Sequence, residues 1–281
     1  MAILLVAANA HAAWNLASKY KRSDTVLFVG AYTGVSAVLC LPFAVGAAMT
    51  GAQTVTGPLV EAAAVSSLLH LAYSLTLQAG YDRAALGIVY PVARGTGPLL
   101  TMVVAVLVLA ERPSLLAVAG ALAVLAGILV VTGNPFRSRS VHPFRGVLWG
   151  AATGATITGY TLWDAYAIDQ LHLAPVSYYA GTLLVQSLLL APSVVRRRAE
   201  LRGTVRVDLA PILTVAVLSP LAYILVLTAM RTAPVSLVAP LRESSIIVGS
   251  LLAWWLFHEK DLARRLGGAA VVLAGIVAIS L

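Results

Sequence analysis

The sequence predicts an all-α membrane protein of ten transmembrane helices, arranged as two inverted five-helix repeats. Three observations carry that expectation. Apolar residues make up 60% of the chain and charged residues only 11%, whereas a soluble domain is nearer half apolar and about a quarter charged. The apolar surplus is divided into runs of about 18 to 25 residues, each long enough to cross a hydrocarbon layer at about 1.5 Å per residue. Matching residues also recur at a nearly constant offset close to half the chain length.

Backbone polar groups inside a bilayer must be satisfied within the segment, so helices are expected. A β-barrel would need short alternating segments, which do not occur. The first span, about residues 2–18, has no basic residues ahead of it. It is read as a retained helix and not as a signal peptide. It carries His11, Asn15 and Ser18 on one face with Trp14 beside them. The second, about 26–48, holds Gly30 and Gly34 at four-residue spacing and the single cysteine, Cys40, so neither an internal disulfide nor a cysteine metal cluster can form. The third, about 58–79, is unusually polar, with Ser67, His70, Ser74 and Gln78 at helical spacing and Tyr73 among them. The fourth, about 84–109, contains Tyr90, Pro91, Arg94, Gly95, Gly97, Pro98 and Thr101. Proline lacks an N–H and glycine loosens the backbone, so this helix is expected to break or bend beside Arg94. The fifth spans about 114–132.

The second set runs over about 145–168, 175–195, 209–230, 235–257 and 262–281. Gly146, Gly150 and Gly154 form a ladder on the sixth span, a pattern that lets helix backbones approach. Tyr160 and Asp164 share a face of that span next to Trp163, Tyr223 lies in the eighth, and Pro234 and Pro240 interrupt the ninth ahead of Arg242, Glu243 and Ser245. The two longest connections are expected at Gly133–Phe144 and Arg196–Asp208.

Arg94 and Arg242 lie 148 positions apart, as do Glu111 and Glu259, Gly120 and Gly268, and Gly127 and Gly275. Leu71–Ala72–Tyr73 returns as Leu221–Ala222–Tyr223, and Trp14–Asn15 is echoed by Trp163–Asp164. Residues 1–133 therefore align with 145–281. A repeat with an odd number of spans forces its copy to enter the membrane in the opposite sense. Inverted repeats of this kind place a solute site near the midplane.

The chain resembles the drug/metabolite transporter superfamily in its ten-helix EamA-like branch. The resemblance rests on His11–Ala12–Ala13–Trp14–Asn15 with Lys19, Tyr90–Pro91–Val92–Ala93–Arg94–Gly95, Ala110–Glu111–Arg112, Pro240–Leu241–Arg242–Glu243–Ser244 and His258–Glu259–Lys260. It implies two EamA-like repeats, 1–133 and 145–281, and a carrier with a central cavity bounded by helices 1, 3, 4, 6, 8 and 9. It does not name a solute.

Arg94 lies about 15 Å into its span. A charge at that depth faces a bundle interior or a cavity. Two guanidiniums, Arg94 and Arg242, could hold a carboxylate or phosphate in fork geometry. Alternatively each pairs with a carboxylate, Asp164 or Glu243. Tyr90, Trp14, Asn15, Tyr73, Tyr160, Asp164, Tyr223 and Ser245 complete the expected solute site. Trp14 and Trp163 could instead sit in an interfacial belt. His11, His70 and Glu243 are the candidates for proton or ion coupling, and the two histidines could equally be interhelical hydrogen-bonding groups. Glu111 and Glu259 read as loop or cap residues.

No phosphate loop, metal-spaced cluster or nucleophile elbow occurs. An enzyme, a metal centre and a bound cofactor are not expected, and energy would come from a gradient. The net charge of +8 sits in short loops, so it sets orientation and does not point to nucleic acid. Fifteen basic residues fall in loops of one side and two, Arg112 and Arg231, in loops of the other. That split puts both termini outside, whereas the family resemblance implies termini inside. The Arg196–Arg206 cluster could also meet anionic headgroups. Sixteen arginines against three lysines suggest a bacterial source, hence a bacterial inner (plasma) membrane. The expected partners are a small solute, membrane lipid and a second copy of the chain in a homodimer. The predicted activity is export of a small polar or anionic metabolite, with broad drug efflux as the alternative.

Overall fold

The computed structural model describes residues 2–108, 114–132, 143–232, 238, 245–257 and 261–281. Arg242 and Glu243 lie outside the described residues, as do Glu111 and Glu259. Among the described residues the regular structure is helical: α1 (Ala2–Lys19), α2 (Thr25–Met49), α3 (Gly57–Arg83), α4 (Leu86–Val108), α5 (Leu115–Thr132), α6 (Pro143–Asp169), α7 (Pro175–Arg196), α8 (Arg198–Met230), α9 (Ser245–Phe257) and α10 (Leu262–Ser280). Five of these stretches are long and apolar enough to cross a membrane: Thr25–Met49, Gly57–Arg83, Pro175–Arg196, Arg198–Met230 and Leu262–Ile279. Large apolar side chains face outward, among them Phe43 at 71% exposure and Leu129 at 65%, while His11, Ser67, Gln78, Arg94 and Asp164 are buried. That inversion of the soluble pattern suits a lipid solvent.

The chain divides into two compact units. The first is Met1–Leu75 with Tyr160–Pro234, and the second is Thr76–Gly159 with Val235–Leu281. Each unit takes helices from both halves of the sequence, and α3 and α6 each contribute to both.

In the first unit α1 packs on α8, and α2 packs on α7 and α8. The α1–α2 loop is fastened by a carboxylate: Asp208 accepts the backbone N–H of Arg22 (3.0 and 3.2 Å) and of Ser23 (2.9 Å). Asp24 caps α2 by accepting the N–H groups of Val26 and Leu27 at 2.9 and 3.1 Å. It also pairs with Arg197 at 3.0 Å. Partial burial pushes the Asp24 carboxyl up, but the Leu27 and Val26 N–H groups and the Arg197 guanidinium together hold it below its ordinary value. The expected connector at Arg196–Asp208 is instead helical from Arg198 onward, with a kink at Asp208 (φ −113°, ψ 24°). Its Ala, Glu, Leu and Arg residues are good helix formers, and Arg197 clamps Glu200 in the first turn at 2.6 Å.

In the second unit α10 lies against α5, and α4 packs on α5, α9 and α10. Val124, Ile246, Ala269, Val272 and Ile276 form its apolar centre. A Cβ added to Gly120 would stand 2.7 Å from the Gly275 carbonyl oxygen, and one added to Gly127 would stand 2.8 Å from that of Gly268. The two pairings run in opposite numerical order, so α5 and α10 are antiparallel. The Gly146–Gly150–Gly154 ladder meets Ala84 and Ile88, then Val89 and Val92, then Ala93 and Thr96. Gly30 is tight against Val194, but nothing lies within 4 Å of a Cβ at Gly34, so that pair is only half a contact.

The expected break in α4 is absent, since the helix is continuous from Leu86 to Val108. Gly95 serves close packing, with Val124, Ile128 and Val272 at 3.0–3.2 Å from a Cβ there. The Gly97 carbonyl accepts the Thr158 hydroxyl at 3.0 Å. Neighbouring helices thus hold the segment in register.

Candidate functional site

Two buried polar clusters contain the described candidate residues, one in each unit. In the first unit Asp164, on α6, has no solvent exposure. It accepts Tyr178 O–H at 2.6 Å, lies 2.9 Å from His70 Nε2, and accepts Tyr223 O–H. These partners come from α7, α3 and α8, so one carboxylate ties four helices together. His70 stacks on Tyr160 with ring centres 4.2 Å apart and planes 24° off parallel. Tyr73, Tyr179 and Tyr223 stand around the imidazole at 6.4, 5.6 and 4.9 Å. Trp14 extends the aromatic set edge-on to Tyr73 at 6.4 Å.

The α1 polar face joins here. The Trp14 indole N–H donates to His11 Nδ1 at 3.1 Å, and the Asn15 amide donates to the His11 carbonyl at 2.7 Å. Trp14 is therefore buried and hydrogen-bonded, which removes the interfacial-belt reading for it. Trp163 donates to the Ala62 carbonyl at 2.9 Å. Ser67, on the polar face of α3, donates to the carbonyls of Ala63 and Thr182. Burial of that face is what a polar stripe on an apolar helix requires, because lipid cannot satisfy it.

In the second unit Arg94 is 2% exposed. Its guanidinium carbon stands 5.3 Å from the centre of the Tyr90 ring, one turn earlier on α4. The Tyr90 hydroxyl donates to Ser245 Oγ, on α9, at 2.8 Å. Gly249 makes room for the Tyr90 ring, since a Cβ there would fall 2.7 Å from it. Tyr81 lies within electrostatic reach of Tyr90 and Arg94. Among the described residues Asp164 pairs with His70, Tyr178 and Tyr223.

The sequence reading missed Tyr178, Tyr179 and Asp208. The adjacent tyrosines one turn after Pro175 were the available signal for the first two, and an acid at the head of an apolar run was the signal for the third.

A helical chain that turns polar groups inward and apolar ones outward, with helices long and apolar enough to cross a bilayer, has the character of a multi-pass membrane protein. Residues 144–281 match the model of the EamA-like transporter family. This half of the chain belongs to that family, in accord with the drug/metabolite transporter superfamily that the motifs implied. A solved structure described only as a crystal structure of a protein aligns over 99% of this chain and 96% of its own, at TM-score 0.64 and 14% identity. At that identity it shows a shared fold alone. No curated protein sequence matches the chain.

Proposed function

We propose that the chain is a secondary carrier of ten spans in two inverted repeats, exporting a small polar or anionic metabolite across a bacterial inner membrane. The observation that carries the solute class is Arg94. A guanidinium buried within an apolar helix of a transporter-family chain is costly and suits a carboxylate or phosphate. Tyr90 and Ser245 stand beside it, and Arg242, its mate in the repeat, is the proposed second anion contact. The antiparallel contact of α5 with α10 supports the inverted repeat. The six aromatic residues around Asp164 favour, as a second reading, efflux of amphipathic aromatic compounds.

The test is uptake into reconstituted vesicles against an amino-acid and nucleotide panel. Arg94→Ala should lower transport of an anionic solute at least ~10-fold, the equivalent of about 1.4 kcal/mol. Arg94→Lys, which keeps charge but not the fork, should fall between. Full transport by a stable Arg94→Ala, Arg242→Ala double variant would exclude the binding role.

A further inference from the structure

We propose that the His70–Asp164 pair is a proton-binding site, and that its charge state governs how α3 and α6 are tied inside the first unit. The coupling role rests on the carrier reading; the proton site does not.

Asp164 accepts Tyr178 O–H at 2.6 Å and Tyr223 O–H, and His70 Nε2 lies 2.9 Å away, as donor or acceptor according to its tautomer. Two phenol donors and an imidazole around one carboxyl leave room for a single proton shared between Nε2 and the carboxylate. The phenols are neutral donors, so His70 alone among them can cancel the charge. An uncompensated carboxylate in a fully buried position is strongly disfavoured. The stacked Tyr160 face, 4.2 Å from the imidazole, also favours a cation there. Whether the proton resides on Nε2 or on the carboxylate, the neutral pair holds one dissociable proton. Its release leaves a neutral imidazole, a carboxylate and a free proton, so charge and atoms balance.

Among the described residues, the other titratable groups around the pair carry no positive charge of their own. They are Tyr32 and Cys40 on α2, Tyr73 on α3, Tyr160 on α6, Tyr178 and Tyr179 on α7, Tyr223 on α8 and His11 on α1. His11 Nδ1 accepts the Trp14 indole N–H, which has no acceptor capacity of its own, so His11 is held neutral. The two histidines of the polar faces are therefore chemically distinct.

Position gives the proton its consequence. The chain leaves the first unit inside α3, between Leu75 and Thr76, and returns to it inside α6, between Gly159 and Tyr160. His70 precedes the one crossing and Asp164 follows the other, each by about a turn and a half. Inside the first unit this pair ties α3 to α6, as does the Trp163 N–H to the Ala62 carbonyl. As an ion pair it clamps them. With the proton gone, a lone carboxylate favours hydration and loosening.

The test uses solute-free protein in detergent. Protons taken up from about pH 9 to pH 5 are counted with an indicator dye for wild type and for the His70→Gln, Asp164→Asn double variant, which holds neither titratable group. Hydrogen exchange is followed across α3 and α6. Wild type should take up one more proton than the double variant, and protection of the two helices should change with pH in wild type alone. Where a variant fails to fold, nitrogen-15 histidine spectra of wild type at pH 7 decide: an imidazolium beside a neutral His11 supports the site. Equal proton counts in folded protein, or His70 neutral beside an ionised Asp164, overturn it. Vesicle flux separates the two readings. Solute transport with equal proton counts removes the proton site and leaves the carrier. An extra proton in a wild type that moves no solute across the panel removes the carrier and leaves the site.

Discussion

The contact between α5 and α10 permits a test in which the structure fixes the sign. At Gly127 an added Cβ would lie 2.7 Å from Val272 N, 2.7 Å from Val272 Cγ2 and 2.8 Å from the Gly268 oxygen. Two of those atoms are backbone and cannot rotate away, so the helices must separate. Gly34, also mid-helix, has nothing within 4 Å of a Cβ. Gly127→Ala and Gly34→Ala share the same helix-propensity gain of about 1 kcal/mol. Their difference therefore isolates packing, for which overpacking of this kind costs about 1–3 kcal/mol. Thermal unfolding in detergent should place Gly127→Ala on the order of 5 °C below Gly34→Ala. Gly34→Ala itself should be at or above wild type. Equal melting temperatures for the two variants would refute the close approach of α5 and α10.

Three further outcomes follow from individual contacts. Tyr223→Phe removes a hydrogen bond to a buried carboxylate and should lower unfolding stability by about 1.5–3 kcal/mol in denaturant titration; an unchanged midpoint would mean that the phenol does not reach Asp164. Asp208→Ala leaves the Arg22 and Ser23 amides without their acceptor, so hydrogen exchange there should accelerate well beyond that of α2. The Asp24 carboxyl is held below its ordinary value, so its stabilising contribution is complete above about pH 4 and is lost as pH falls through its folded value. Asp24→Asn, which keeps the cap but not the charge, should flatten the acid limb of a stability–pH profile; an unchanged limb would remove Asp24 from acid unfolding.

How much could be read in advance depended on whether a residue's role is set by its own helix or by another. Polar faces were legible because period and polarity lie in one segment. His11, Asn15, Ser67, His70 and Gln78 are all buried as their stripes required. The Gly146–Gly154 ladder was legible for the same reason. Partners were not legible. Asp164 meets His70 and two phenols from helices far away in sequence, which no local pattern announces. Tyr178 and Tyr179 went unnoticed because tyrosine in an apolar span carries no signal until something polar faces it. The α4 break failed on a related ground. Proline and glycine state what a lone helix would do, and the packing of Gly95 against α5 and α10 decides otherwise. The division into two units that each combine both halves of the sequence has no local signature at all.

The repeat offset of the glycines and their contacts are independent properties of the chain. By offset, Gly120 corresponds to Gly268 and Gly127 to Gly275. By contact, Gly120 meets Gly275 and Gly127 meets Gly268. Exchanging each glycine for its mate turns the first contact into the second. A contact set that maps onto itself under exchange of its two elements is the mark of an isologous, twofold arrangement. The helices that it relates run antiparallel. A direct repeat would give the equivalent helices one common direction, whereas an inverted repeat must oppose them. Within the α5–α10 pair the glycine contacts exchange in that way. This exchange supports an inverted relation between the halves from side-chain-free positions, where only backbone proximity explains why glycine stands at each.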